Sequence, residues 1–190
     1  MTDWGAFYDA VSERPPHETA IGALDRFDHP GFAVDLGCGM GRDTMEMLRR
    51  GWRVLAIDGE SEAIARLRER AAGIPALETQ VAAFEDATWP EADLVNASFS
   101  LPFCAPEEFD DVWERILASL PPGGRFSGQL FGDRDEWAGQ KAMTFHTREQ
   151  ALGLLSGLEL ERFDEEDADG RTALGEPKHW HIFHVIARRP

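Results

Sequence analysis

Three glycines at alternate positions, Gly37, Gly39 and Gly41, stand in the stretch AVDLGCGMGRDTMEML, residues 33–48. A short apolar run ending in Asp35 precedes them, and a segment of helical character follows. Nothing else in the chain constrains its fold as tightly. Glycine enters the left-handed backbone region without steric cost, so such a run marks a tight loop in which the backbone itself approaches a ligand. A glycine loop between the first strand and the first helix is the signature of a doubly wound sheet, in which ligands bind outside the carboxyl ends of the strands where strand order reverses.

The rest of the chain fits that frame. FAVDLG, WRVLAIDG, ALETQVAA, ADLVNASFSL and RFSGQLFG read as strands, and RDTMEMLRRG, SEAIARLRERAAG and PEEFDDVWERILASLPPGG as the helices among them. Gly51 and Gly73 read as helix stops, Ser61 as an N-cap, and Thr147 three residues before Gln150 as a capping box that starts REQALGLLSG. LELERFDEE and KHWHIFHVIAR close the chain as two strands with no helix between them, so they pair antiparallel at an edge, with FDEEDADG as a solvated acidic turn. The prediction is an α/β, doubly wound, Rossmann-like sheet of seven strands, mostly parallel with an antiparallel last strand, and helices on both faces. Residues 1–190 show no composition break and read as one domain, with residues 1–30 a helical cap broken at Arg14-Pro15-Pro16.

Acidic residues outnumber Lys and Arg 35 to 19, a formal charge of −16. Phosphate contacts by basic residues supply most nucleic-acid affinity, so this balance argues against DNA, RNA or an anionic membrane as partner. No apolar run is long enough to span a bilayer, and MTDWGAFYDAVSERPP lacks a signal pattern, which predicts a cytoplasmic protein. The only cysteines, Cys38 and Cys104, are too few for a disulfide framework. A small-molecule partner and a monomer or homodimer are expected.

Which ligand the loop holds follows from two carboxylates. The dinucleotide fingerprint G-x-G-x-x-G requires a glycine where Arg42 stands, so a nicotinamide cofactor loses its signature. Asp35, two residues before Gly37, would repel a pyrophosphate but suits an ammonium or sulfonium. Asp58 ends the second strand at close to the offset of roughly 20 residues expected for a carboxylate that binds ribose hydroxyls. A ribose combined with a cation suggests S-adenosyl-L-methionine.

VDLGCGMGR followed by VLAIDGE resembles the first two motifs of the class I S-adenosylmethionine-dependent methyltransferases, and the ladder of elements is similar over essentially the whole chain. The resemblance implies that Asp35 and Gly37 approach the methionine part of the cofactor, that Gly39 and Gly41 allow close backbone contact, and that Asp58 holds the ribose. Where the family places an acidic residue after the third strand to meet adenine, this chain has Ala83, which leaves Phe84 and Glu85 as candidates. Asn96 to Ser98, at the end of the fourth strand, fall beside the transferable methyl. The short chain, LGCG-x-GR and the ARR ending resemble the tellurite-resistance and small-molecule group, although GEPKHWH replaces that group's basic residues before the last strand.

Methyl transfer from a sulfonium is an in-line displacement that alignment can accelerate, with effective molarities of about 10⁵ to 10⁸ M. A base is needed only where the acceptor must lose a proton. Phe99, Pro102, Phe103, Phe131 and Trp137 are candidates to shape the acceptor pocket; Trp4, Phe7 and Tyr8 to cap the cofactor; and Arg14 to reach its carboxylate. His179 and His181 share one strand face by alternation and are the candidate catalytic bases, with His184 opposite. They lack a third metal ligand, and no metal is expected. The function so read is methyl transfer to a small molecule, the alternative being a non-catalytic S-adenosylmethionine-binding sensor or partner subunit on the same fold.

Overall fold

The computed structural model describes residue 11, residues 14–139 and residues 142–190. The candidate cap residues Trp4, Phe7 and Tyr8 lie outside the described residues. Strands β1 (Phe32–Leu36), β2 (Arg53–Asp58), β3 (Leu77–Val81), β4 (Leu94–Ala97) and β5 (Arg125–Gly132) pair in parallel. The short β6 (Phe145–His146) adds to the end of β5, and β7 (Glu159–Arg171) and β8 (Pro177–Arg188) form a hairpin. Strand order is β3-β2-β1-β4-β5-β8-β7, with β8 antiparallel to both neighbours and β6 off the path. The seven-stranded expectation describes the main path, to which β6 is an addition. Order reverses between β1 and β4, which places the switch point at the glycine loop.

Alternation along the buried strands sends side chains to two cores. Ala33, Val54, Ala56 and Leu94 pack beneath α1 (Glu18–Leu24), α2 (Arg42–Arg49) and α3 (Ser61–Arg70), where Leu24, Met47, Ile64 and Leu67 meet them. Val34, Leu36, Val95 and Phe126 face α4 (Pro106–Ser119) and α5 (Arg148–Leu154), through Phe109, Val112, Ile116 and Ala151. Asp35 therefore points to the same side as α2, and that parity decides its partners.

Local signals held where the backbone alone decides. Gly37, Gly39 and Gly41 have φ of 67°, 54° and 82°, and Gly51 follows the end of α2 with φ 85°. The Thr147–Gln150 capping box forms with both of its hydrogen bonds, at 3.1 and 2.8 Å. Two expectations are corrected. Ser61 is the first residue of α3 and not its cap, since Glu60 occupies the cap position without a side-chain bond. FDEEDADG is strand and not turn, because Asp167, Asp169 and their neighbours pair with His181, His179 and the rest of β8.

Candidate functional site

The loop after β1 is tied to the end of β2. The amides of Gly37 and Cys38 donate to the Ile57 carbonyl at 2.8 and 3.0 Å. Asp58 accepts from the Gly39 amide through one carboxylate oxygen and from the Glu60 amide through the other, each at 2.8 Å. Burial pushes the Asp58 carboxyl above its ordinary value despite these two bonds. A carboxylate offers about four lone-pair sites, so two remain for a ligand. Gly37 is packed too closely for a side chain: a Cβ there would lie 2.3 Å from Ser100 Cβ and 3.4 Å from the Phe84 ring. Ser100 donates to the Leu36 carbonyl at 2.6 Å. Of the two adenine candidates, the loop thus has Phe84 beside it, whereas Glu85 is exposed.

Behind the loop lies a buried polar network that the sequence did not reveal. Asp35 accepts from Thr44 Oγ1 at 2.5 Å and from Asn96 Nδ2 at 2.9 Å, and Asn96 also donates to Asp43 at 3.2 Å. The Asn96 oxygen accepts from Ser98 and Ser127, which uses the full capacity of its amide. Asp43 in turn accepts from the His17 amide at 2.8 Å and from His17 Nδ1 at 3.0 Å. The other ring nitrogen of His17 faces Arg42 Nη1 at 2.8 Å, and Arg42 Nε donates to the Pro15 carbonyl. Because Asp43 accepts and Arg42 donates, His17 carries its proton on Nδ1 in this arrangement.

Two carboxyls so close do not ionise alike. Burial, helped by the Asp43 charge, pushes Asp35 from 3.8 to about 7. Burial also opposes ionisation of Asp43, but hydrogen bonds from the His17 side chain, from Ser98 and from the His17 amide hold it at about 2. The sequence assigned the counter-charge to Asp35; in the folded chain Asp43, at the first turn of α2, is the firmly ionised member of the pair. Arg14, expected at the cofactor, donates to the Ala173 carbonyl in the β7–β8 turn at 3.3 Å.

A family described as a methyltransferase domain matches residues 33–124, which run from β1 to the turn before β5. A carboxy-S-adenosyl-L-methionine synthase of Shewanella amazonensis is 33% identical over 133 residues, covering 63% of this chain and 55% of that protein. A trans-aconitate 2-methyltransferase of Acidovorax sp. is 29% identical over 171 residues, covering 82% of this chain and 65% of that protein. The crystal structure of TehB from Haemophilus influenzae superposes with a TM-score of 0.83 at 18% identity, over 97% of this chain and 66% of that one, a likeness of fold. Residues 33–124 are thus similar to a methyltransferase domain. The chain spans 55% and 65% of the lengths of these two curated relatives.

Beside this cradle, Phe99 follows β4 with φ 54°, the one positive φ outside glycine among the described residues. Its amide donates to the Gln129 side chain at 2.9 Å, which holds the strained turn. The Phe99 ring lies 5.2 Å from His17 and 6.2 Å from His184. Phe99, Phe103, Trp137 and Trp180 pack against the cluster of Phe131, Met143 and Ile182, so the expected acceptor aromatics converge, and Trp180 joins them. Pro102 is buried and accepts from the Thr144 amide at 3.0 Å.

The candidate bases lie elsewhere. The two ring nitrogens of His179 meet Asp169 and Asp167 at 2.7 and 2.9 Å. His181 is fully buried against Gly132, accepts from the Arg134 amide at 3.1 Å, and pairs with Glu165 at 3.0 Å. Their partners belong to β7 and the loop after β5, not to the cradle of Asp58 and Asn96. Glu165, Asp167 and His181 also bring potential metal-ligand atoms within 4.8 Å of one another. Arg134 Nη2 sits among them, at 2.8, 2.7 and 3.0 Å, so a guanidinium already balances that cluster.

Sequence reasoning missed His17, Asp43, Thr44, Ser100, Gln129 and the Lys178–Asp135 pair. His17 had one available signal: it stands between Pro-Pro and a helix, where the chain must turn.

Proposed function

We propose that this chain transfers a methyl group from S-adenosyl-L-methionine to a small-molecule acceptor. The observation that carries the proposal is the Asp58 carboxylate, clamped by the amides of Gly39 and Glu60 at the switch point with lone pairs left for paired hydroxyls. In this reading Asp58 binds the ribose, Phe84 and Glu85 flank the adenine, and the Gly37, Gly39 and Gly41 backbone admits the methionine part close to Asp35 and Asn96. Tyr8 and Arg14 belong to the cap, formed by residues 1–30 of the one domain. When bound, the cofactor supplies an electrophilic methyl on a sulfonium sulfur, which leaves neutral as the acceptor's lone pair takes the carbon.

The chain's own residues contribute alignment more than acid–base chemistry. The carboxyl pair of Asp35 and Asp43, bridged by Asn96, presents net negative charge beside the cradle and suits a cationic centre. His17 and Arg42 fasten the segment before α1 onto the start of α2, which narrows solvent access there. With both ring nitrogens of His179 and of His181 already engaged, transfer to an acceptor that carries a free lone pair needs neither as base. The same reading places the enzyme in the cytoplasm as a monomer or homodimer. It also expects no nucleic acid, membrane or metal to take part.

Incubation of the full chain with methyl-labelled cofactor and a metabolite extract tests this. Label in the small-molecule fraction is expected. Label that stays on the cofactor would overturn the proposal; tight cofactor binding without transfer would make the chain a sensor or partner subunit.

A further inference from the structure

The loop after β3 takes its position from a helix that comes later in the chain. The Ala83 carbonyl accepts from the amides of Asp86 and Ala87 at 3.2 and 2.9 Å, which closes residues 83–87 into a single helical turn. So short a turn has no further turn to satisfy its remaining carbonyls. Arg115, on α4, satisfies them instead. Its Nη2 donates to the Phe84 carbonyl at 2.7 Å, and its Nη1 donates to the carbonyls of Glu85 and Ala87 at 3.1 and 2.7 Å. The guanidinium lies 5.5 Å from the Trp89 ring centre, and Trp89 Nε1 donates at 3.0 Å to Ser119 Oγ, one turn further along α4. The segment from Phe84 to Trp89 is thus fastened to one helix at two levels.

Arg115 takes these carbonyls in preference to a carboxylate. Asp111 stands four residues before it on α4, a spacing at which helical ion pairs form, and the chain carries 35 acidic residues. The guanidinium nevertheless spends its hydrogen bonds on three neutral oxygens of one turn. Its Nε is buried without a partner, so the two terminal nitrogens carry the whole clamp. At the other end of the turn, the Ala82 amide donates to the Asp58 carbonyl at 3.0 Å. Between these two ties stands Phe84, whose ring is 3.4 Å from where a Cβ on Gly37 would lie. A clamp on backbone oxygens leaves the Phe84 ring out of the bonding and sets only where it stands.

We propose that Arg115 is a positioning residue for the adenine side of the cofactor site, acting on the cofactor through the turn of residues 83–87 and not by touching it. The inference rests on the methyltransferase reading, in which Phe84 flanks the adenine, and adds the residue that holds Phe84 in place. Without the guanidinium the three carbonyls turn to water, and the turn samples other arrangements. A turn that keeps its clamped arrangement about a tenth of the time lowers the apparent affinity about tenfold.

Calorimetric titration of S-adenosylhomocysteine into the full chain, Arg115→Met, Phe84→Leu and the double variant tests it, with urea denaturation establishing that each is folded. Arg115→Met should weaken binding about tenfold, as a loss of the competent arrangement. Phe84→Leu should weaken it about tenfold, as a loss of ring contact with a base. The double variant should be weakened by about tenfold to twentyfold and not by the product of about a hundredfold, because one residue acts through the other. Where Arg115→Met fails to fold, Arg115→Gln takes its place in the cycle. A folded Arg115 variant that binds within about twofold of the parent, or a double variant weakened by the full product, would each overturn the proposal. If the parent binds S-adenosylhomocysteine and Phe84→Leu binds equally well, the adenine placement is wrong and the proposal falls with it. If the parent itself does not bind, the methyltransferase reading falls first.

Discussion

Replacement of Lys178 by methionine should be among the most destabilising single changes on the acceptor side. Its side chain is 1% exposed and that of Asp135 0%, so both charges are removed from water. In the variant, Asp135 keeps the amide of Trp137 at 2.9 Å and that of His181 at 3.3 Å but loses the Lys178 ammonium. Leaving one buried charge uncompensated costs about 3–5 kcal/mol. For a chain of this size that corresponds to a fall in Tm on the order of 10 °C. Asp135→Asn in the same background removes the stranded charge while keeping an acceptor for the Trp137 amide. The double variant Lys178→Met/Asp135→Asn should therefore recover to within about 2 kcal/mol of the parent. Urea denaturation of the four proteins completes the cycle. A Lys178→Met variant within about 1 kcal/mol of the parent, or a double variant showing the plain sum of the single effects, would refute the assignment of a mutually dependent buried pair.

Two further outcomes follow from the cradle. Gly37→Ala forces a residue to φ 67° with its Cβ 2.3 Å from Ser100, and should lower stability by about 2 kcal/mol or more in chemical denaturation, against no change if the loop simply relaxes. Asp35 binds its proton more tightly folded than unfolded, since its carboxyl rises from 3.8 to about 7. Its contribution is thus fully present below about pH 4 and is lost as pH rises toward 7. Asp35→Asn, which cannot ionise, should gain stability relative to the parent between pH 5 and pH 8 on urea denaturation; a difference independent of pH would contradict this.

How far the sequence could be read follows from where each decision is made. The glycine loop, Asp58 at the end of β2 and the Thr147 capping box are set by residues near one another in the chain, and they stand where periodicity and spacing put them. The acidic run after Phe163 has the composition of a turn. It is strand because Asp167 and Asp169 face His181 and His179 across the hairpin, a pairing that local preference does not encode. Asp35 shows the same limit at the site. Spacing placed it beside the loop, but strand parity turned it toward Thr44 and Asn96 and left the stronger charge on Asp43. His17 and Asp43 are 26 residues apart, and only the packing of α1 against β5 and β8 brings them together.

Calorimetric titration of S-adenosyl-L-methionine into the full chain and into Asp58→Ala tests the central claim most directly. Loss of a charge-assisted hydrogen-bonding group costs about 1.5–3 kcal/mol per bond, so the variant should bind at least about tenfold more weakly than the parent while remaining folded. Equal affinity in the two proteins, or no binding to the parent, would contradict the account.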